Sequence, residues 1–143
     1  MVLLQQSGEK FITGYDVFER RPSDESLVDS ILRSHRRTFG QLPEFFTAAP
    51  GFYQSMAKLR ELERSIPHVS IAKKGTRTEE ERDREHHPIF RELQRFRAGI
   101  KGTISALKRV FKMCRCLHRS FRTFCSSVGA HIFAHNLLVL ARL

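Results

Sequence analysis

Hydrophobic residues recur at two different spacings in the first half of the chain, and each spacing predicts a different element. In "KFITGYDVFER", β-branched and aromatic residues stand at roughly alternate positions, as in a strand or one arm of a hairpin. "PEFFTAA" and "PHVSIAKK" are short apolar runs typical of buried strands. Between them the spacing becomes three to four residues, which indicates amphipathic helices. The expected strands lie near residues 10–19, 44–48 and 68–72, and the expected helices near 24–38 and 54–63.

This alternation of strand and helix favours an α/β domain. Strands that follow one another through helices usually lie parallel in one sheet, with the helices as right-handed crossovers. We therefore expect the three strands to form one short sheet flanked by helices. The first ten residues, "MVLLQQSGEK", lack a basic stretch followed by an apolar one and are not expected to be a signal peptide.

The second half of the chain is different in character. Residues 73–88, "KKGTRTEEERDREHHP", are nearly all charged or polar and predict a solvated loop or frayed helix. A long helix is expected at 89–112, with an apolar stripe that packs on the sheet, and a break follows. The apolar end "HIFAHNLLVLARL" is too short to span a bilayer and predicts a buried terminal helix within 121–142. The expected organisation is one domain in three parts: 1–72, 73–88 and 89–143.

Charge is distributed unevenly along the 143 residues, whose net charge is +10. Residues 1–66 carry nine basic and nine acidic side chains, whereas residues 67–143 carry sixteen basic and six acidic ones. No Asp or Glu follows Glu92. A one-sided positive field favours a polyanion as partner, and the alternative interpretation is a solvated helix face.

Three groups of potential metal ligands lack the complete pattern of a metal site. They are Cys114 and Cys116 with His118, His86 with His87, and His131 with His135. The cysteines lack the two-residue spacing and second ligand pair of a zinc site, so we expect reduced thiols. Adjacent histidines point in different directions on a helix, and the last pair has no third ligand. No metal site is expected from these groups.

A longer pattern carries a family resemblance. The segments "RFRAGIKGTISALKRVF" and "VGAHIFAHNLLVLARL", with "RRPSDESLVDSILRSHRRTFGQLPEFFTAAPGFYQ" and "VSIAKKG" upstream, resemble in the same order the C-terminal part of DDE-type insertion-sequence transposases. The resemblance covers essentially the whole chain. It implies an RNase-H-like fold, here incomplete, in which three carboxylates hold two Mg²⁺ ions. Such ions activate the attacking oxygen and stabilise the leaving oxygen during DNA strand transfer.

The acidic positions of that family are occupied by other residues here. The family signature is Tyr, two residues, Arg, three residues, Glu, six residues, Lys. It falls on Gln94, Arg97, Lys101 and Lys108, so that a lysine stands where the glutamate is expected. The family turn Ala-Asp-Arg-Gly-Phe-Tyr is "AAPGFY" here, which places Ala49 at the second acid.

The resemblance further implies that the first aspartate would lie on a strand preceding Met1. A lysine ammonium repels metal ions, and the spacing of Asp16 and Glu44 does not support a relocated site. The resemblance also implies that Ala49 and Lys101 face one another across a shared pocket. No metal cofactor and no catalytic competence are expected, although the family is a Mg²⁺-dependent strand transferase.

The expected function is therefore that of a transposase-family protein that binds duplex DNA non-specifically without cutting it. Pairing with an intact transposase is a further expectation, and an unexpressed remnant of a mobile element is the alternative. The expected location is cytoplasmic, with the nucleoid when DNA is bound, and no membrane partner is expected. The expected phosphate contacts are Arg97, Lys101, Lys108, Arg109, Lys112, Arg115 and Arg119.

Overall fold

The computed structural model describes residues 1–113 and 120–143, which form a mixed α/β structure. Their contacts divide the chain into a first unit, Met1–Arg21 with Gly99–Leu143, and a second unit, Pro22–Ala98. The strands of the described residues are β1 (Val2–Gln6), β2 (Ile12–Val17), β3 (Phe45–Ala48) and β4 (His68–Ile71). The α-helices are α1 (Val28–Phe39), α2 (Met56–Glu63), α3 (Glu79–His86), α4 (Pro88–Arg109) and α5 (Phe121–Leu140).

In the first unit β1 and β2 form an antiparallel hairpin. Val2 lies opposite Val17, and the register shifts between Gln5 and Gln6. The turn contains Lys10 in the left-handed region, with φ 65°. A bulge and a left-handed turn residue both increase the twist of a two-stranded ribbon. One face of the hairpin lies against helices of the same unit.

The core of the first unit joins this hairpin to the C-terminal half of α4 and to α5. Ile12, Leu107, Val128 and Ile132 form its buried centre, and Leu107 and Val128 have no solvent exposure. Further partly buried side chains pack around that centre: Val2, Leu4, Val17, Phe111, Met113 and Phe124. Full burial of a Leu, Ile or Val side chain contributes about 1.5–3 kcal/mol to the stability of the folded state. Leu107 of the long helix thus packs on the β1–β2 hairpin, and not on the single sheet of three strands that was expected.

Hydrogen bonds also fix α5 against the hairpin. The Ile12 N–H donates to Asn136 Oδ1, and Asn136 Nδ2 donates to the Ile12 carbonyl, both at 2.9 Å. The His135 Nε2–H donates to the Lys10 carbonyl at 3.2 Å. The Asn136 amide thus pairs with β2 as a peptide group of a neighbouring strand would.

In the second unit β3 and β4 are parallel, with Phe45 opposite His68, and α2 lies between them in the chain. Ser55 caps α2 by accepting the Lys58 N–H at 3.1 Å. α1 ends at Gly40, whose φ of 77° a side chain with a Cβ disfavours. The core of this unit is formed by buried side chains from its helices, its strands and the segments that connect them: Leu27, Val28, Ile31, Leu32, Phe46, Ala48, Leu59, Leu62, Ile66, Val69, Ile71, Phe90 and Leu93.

The expectation of a single sheet is wrong for the described residues. β2 pairs with β1, whereas β3 pairs only with β4, so that two separate two-stranded sheets form. The sequence reasoning missed β1, which supplies the partner of β2. A neighbouring segment joined by a short turn pairs at a smaller loop-closure cost than a distant parallel strand. The mixed α/β class is confirmed. Each expected helix is present, and its ends lie within a few residues of the expected ones.

The charged segment 73–88 also packs more than expected. α3 forms within it, and Thr78 and Glu81 make a capping box at its start. Glu81 is only 4% exposed. Paired hydrogen bonds make this burial of a carboxylate possible, because its lone pairs meet donors from three residues.

The expectation of a buried terminal helix is wrong as well. α5 is a 20-residue helix, yet only Val128, Ile132 and His135 are buried in it. Among the described residues, α5 is long and apolar enough to cross a membrane by length and composition, a test that the core helix of a soluble protein also passes. Its apolar residues are spread around the helix, and the hairpin covers only the side that carries Val128 and Ile132.

Candidate nucleic-acid interface

Exposed cations cluster in sequence at the end of α4. Lys101, Lys108 and Arg109 are exposed on this helix, and Lys112 is exposed just after it, with φ 55°. Lys108 and Arg109 lie in the last helical turn, where positive charge is favoured by the helix dipole. Lys101 lies two turns earlier, on the side of the helix that Lys108 also occupies. Part of this positive charge therefore stabilises the helix, and Lys101 lies beyond that effect.

These cations are also not neutralised by neighbouring acids. In the described part of the chain, Lys101, Lys108, Arg109 and Lys112 form no ion pair. Ion pairs of the second unit show the contrast, as Lys58 pairs with Asp29 at 3.2 Å. The four cations are thus free to contact anions.

The balance of charge differs between the two units. The first unit carries eleven basic and three acidic side chains, a net charge of +8, whereas the second carries fourteen and twelve, a net charge of +2. The first unit therefore holds most of the excess positive charge. A local field of this sign raises the concentration of polyanions near the surface.

Arg122 is a further candidate that sequence reasoning missed. It is exposed and lies in the first turn of α5, which has no acidic residue in that turn. A cation there is unfavourable for the helix dipole, and an anion is favoured. The signal was present in the sequence, since Ser120 precedes an apolar run as an N-cap residue does.

Arg97 has a different environment from the other predicted cations. It is partly buried, and its Nε donates to Gln94 Oε1 at 2.9 Å. Gln94 in turn donates to the carbonyl and the hydroxyl of Ser70, both at 2.9 Å. Arg97 belongs to the second unit, and these contacts fix its position there. The predicted contacts Arg115 and Arg119, like Cys114, Cys116 and His118, lie outside the described residues.

The positions that correspond to the family's acids can be located individually. Ala49 follows β3 directly and accepts the Phe52 N–H at 2.9 Å at the start of a short 3₁₀ turn. Ala49 belongs to the second unit and Lys101 to the first, so their predicted proximity stays a prediction. Asp16 lies in β2 and Glu44 just before β3. Within residues 1–113 and 120–143, no three His, Cys, Asp or Glu side chains are grouped as metal ligands.

The histidine pairs have local partners. His131 Nδ1 lies 2.6 Å from the Ser127 carbonyl, and His135 bonds to Lys10 as described. His86 Nδ1 lies 2.6 Å from the Arg82 carbonyl. Each contact is a backbone hydrogen bond of the kind that fixes a ring orientation.

A polar network around the buried Glu81 in the second unit is the strongest rival site. The Tyr53 hydroxyl donates to Glu81 at 2.5 Å, Lys73 Nζ to the same carboxylate at 3.0 Å, and the Thr78 N–H at 2.8 Å. The Tyr53 hydrogen bond, then that of Thr78, lowers the pKa of Glu81 to about 2. Burial, then Glu81, raises the pKa of Tyr53 to about 12. Groups that titrate so far from neutrality are poor general acids or bases at pH 7, so this network is structural.

A small cleft in the second unit is also a poor ligand site. It has a volume of about 140 Å³ and is lined in part by Glu63, His68, Arg84, His87 and Phe90. Ligand pockets usually measure about 300–1,000 Å³. Arg84, its main anion-binding group, already donates to the carbonyls of β4 and pairs with Glu63 at 2.9 Å.

Comparison of the chain with protein-family models, curated proteins and solved structures gives no match. The candidate interface therefore stands on its own residues: Lys101, Lys108, Arg109, Lys112 and Arg122.

Proposed function

We propose that this chain is a non-catalytic protein that binds duplex DNA through the exposed cations of its first unit. The observation that carries the proposal is the set of unpaired cations, Lys101, Lys108, Arg109, Lys112 and Arg122, in a unit with a net charge of +8. Lys and Arg that contact phosphates release condensed counterions, and this release supplies most non-specific binding. Contacts to phosphate carry no base sequence, so the binding is sequence-tolerant.

The resemblance to DDE-type transposases supports this proposal and extends it. In that interpretation the chain belongs to an RNase-H-like domain in which Ala49 and Lys101 stand at two of the metal-ligand positions. The position of Ala49 directly after a strand is compatible with it, because the family's second acid also follows a strand. DNA cleavage then requires groups that the chain lacks at Ala49 and Lys101. A cytoplasmic, nucleoid-associated location and pairing with an intact transposase belong to the same proposal.

A salt titration with matched variants tests the interface. Affinity for a fluorescent duplex of about 20 base pairs is measured by anisotropy from about 50 to 200 mM NaCl. Engagement of about four to six phosphates gives a slope of log affinity against log salt of about −4 to −5. Lys108→Glu with Arg109→Glu should weaken binding at least about tenfold and reduce the slope by about 2.

Arg36→Glu with Arg37→Glu is the matched control. These two arginines also lie in the last turn of a helix, α1, and their reversal changes the net charge by the same amount. Affinity should change by less than about threefold, because these arginines belong to the second unit and the proposal assigns the phosphate contacts to the first. Equal losses in the two variants, or affinity independent of salt, would refute the interface. Magnesium-dependent nicking of DNA by the unaltered chain would refute the non-catalytic assignment.

A further inference from the structure

The face of α5 opposite the hairpin is exposed and apolar. Phe133 is 66% exposed, Leu137 49% and Leu140 59%. Spacings of four and three residues place these side chains on one side of the helix. The buried residues Val128 and Ile132 lie on the other side, within the core of the first unit. An outer helix face in water normally carries charged residues, and this one carries none between Arg122 and Arg142.

Positive charge accompanies this apolar face. Arg122 and Arg142 are exposed near the two ends of α5. The first unit, to which α5 belongs, has a net charge of +8, and no acidic residue follows Glu92 in the sequence. The two properties therefore occur in the same compact unit. A partner for this face must offer apolar contact and negative charge together.

We propose that the outer face of α5 lies on the surface of a bilayer that contains anionic phospholipid. Phe133, Leu137 and Leu140 enter the boundary between headgroups and acyl chains, and Arg122 and Arg142, near the two ends of the helix, contact lipid phosphates. DNA phosphates offer no contact for the apolar side chains. A second copy of this chain offers apolar contact but places a unit of +8 against another of +8. The anionic bilayer matches both properties of the face.

The contacts of α5 favour a helix that lies in the interface over one that crosses the membrane. Asn136 and His135 form hydrogen bonds with the hairpin, and Val128 has no exposure. In the hydrocarbon region these bonded groups would lose their partners, at a high cost in free energy. The proposal departs from the sequence expectation of no membrane partner, which assumed a buried terminal helix.

Tryptophan reporters test the orientation directly, because the chain contains no native Trp. Leu137→Trp places the only indole on the exposed face of α5, and Phe39→Trp places it at a 50% exposed position of the second unit as a matched control. The full chain is titrated with vesicles of neutral phosphatidylcholine, or with about 30% phosphatidylglycerol added, at about 0.15 M NaCl. With anionic vesicles, the emission of Leu137→Trp should shift to the blue and resist acrylamide quenching, and the emission of Phe39→Trp should not.

Vesicle flotation of the same chain measures the affinity. Binding to anionic vesicles should be at least about tenfold stronger than to neutral ones. Phe133→Gln with Leu137→Gln should reduce it at least about tenfold, whereas Phe39→Gln with Phe45→Gln should leave it within about twofold. An unshifted emission in Leu137→Trp, equal shifts in both reporter variants, or unchanged binding of the α5 glutamine variant would each overturn the proposal. So would a dimer in solution that the α5 glutamine variant dissociates, since a second copy would then cover the face.

Discussion

Replacement of Asn136 by Ala removes the two hydrogen bonds that join α5 to β2. Both bonds measure 2.9 Å, and both of their backbone partners belong to Ile12, which is 5% exposed. Each bond contributes about 0.5–1.5 kcal/mol net, and a buried group left without a partner costs about 1–3 kcal/mol. The expected loss in the free energy of unfolding is therefore about 2 kcal/mol, a large part of the stability of a small domain.

Urea denaturation followed by far-UV circular dichroism measures that loss. Hydrogen exchange at the Ile12 amide localises it and should accelerate by roughly thirtyfold. Asn136→Asp retains an acceptor for the Ile12 N–H but places a carboxylate oxygen against the Ile12 carbonyl, so its loss at neutral pH should be at least as large. Ser126→Ala, on the exposed side of α5, is the control and should change stability by less than about 0.5 kcal/mol.

The contact would be refuted by a loss below about 0.5 kcal/mol in Asn136→Ala together with unchanged exchange at Ile12. Water would then satisfy the backbone of β2 as well as the amide does. Slow exchange at Ile12 in the wild type that disappears in both Asn136 variants, and not in Ser126→Ala, would confirm it.

Three further perturbations follow from the same structure. Leu107→Ala should lower the free energy of unfolding, measured by urea denaturation, by about 2–5 kcal/mol, because Leu107 has no solvent exposure. The control Val110→Ala, at a position that is 69% exposed, should lower it by less than about 0.5 kcal/mol. Similar losses in the two variants would contradict the assignment of Leu107 to the core. The pKa of Glu81 is lower in the folded chain, at about 2, than its ordinary 4.5, so its stabilisation is complete above pH 4.5 and declines as pH falls towards 2. Glu81→Gln should remove this part of the pH dependence, which is measured by comparing the free energy of unfolding against pH in the wild type and in the variant. Parallel curves for the two proteins would contradict the role assigned to Glu81. Gly40→Ala should cost about 1 kcal/mol in thermal denaturation because φ at this residue is 77°, and an unchanged midpoint would show that the helix end relaxes.

Local pattern was enough to locate most elements of this chain. Three of the four described strands lie within segments whose composition predicted a strand, namely β2 (Ile12–Val17), β3 (Phe45–Ala48) and β4 (His68–Ile71). The pairing of those strands was not predictable in the same way, because pairing depends on loop closure and on a partner elsewhere in the chain. β1 has apolar residues in its first half and glutamines in its second, a pattern too short and too mixed to stand out.

The candidate interface was predictable to a similar degree. The uneven charge and the absence of acidic residues after Glu92 indicated that the candidate phosphate contacts lie in the second half of the chain. Lys101, Lys108 and Arg109 are exposed there, as contact with phosphate requires. The engagement of Arg97 by Gln94 depends on β4, which is distant in sequence, and was not visible. The exposure of α5 was also missed, since its apolar residues are spread around the helix and nothing local shows which of them the hairpin covers.

The two proposed partners share cations but differ in their need for apolar side chains, and this difference separates them. Lys108 and Arg109 favour both duplex DNA and anionic lipid, so their reversal to Glu should weaken both. Phe133 and Leu137 contact only the bilayer, so their replacement by Gln should spare DNA binding. Because one set of charges serves both polyanions, excess duplex DNA should release the chain from anionic vesicles. Simultaneous, non-competitive binding would show that DNA and lipid use separate cations of the first unit.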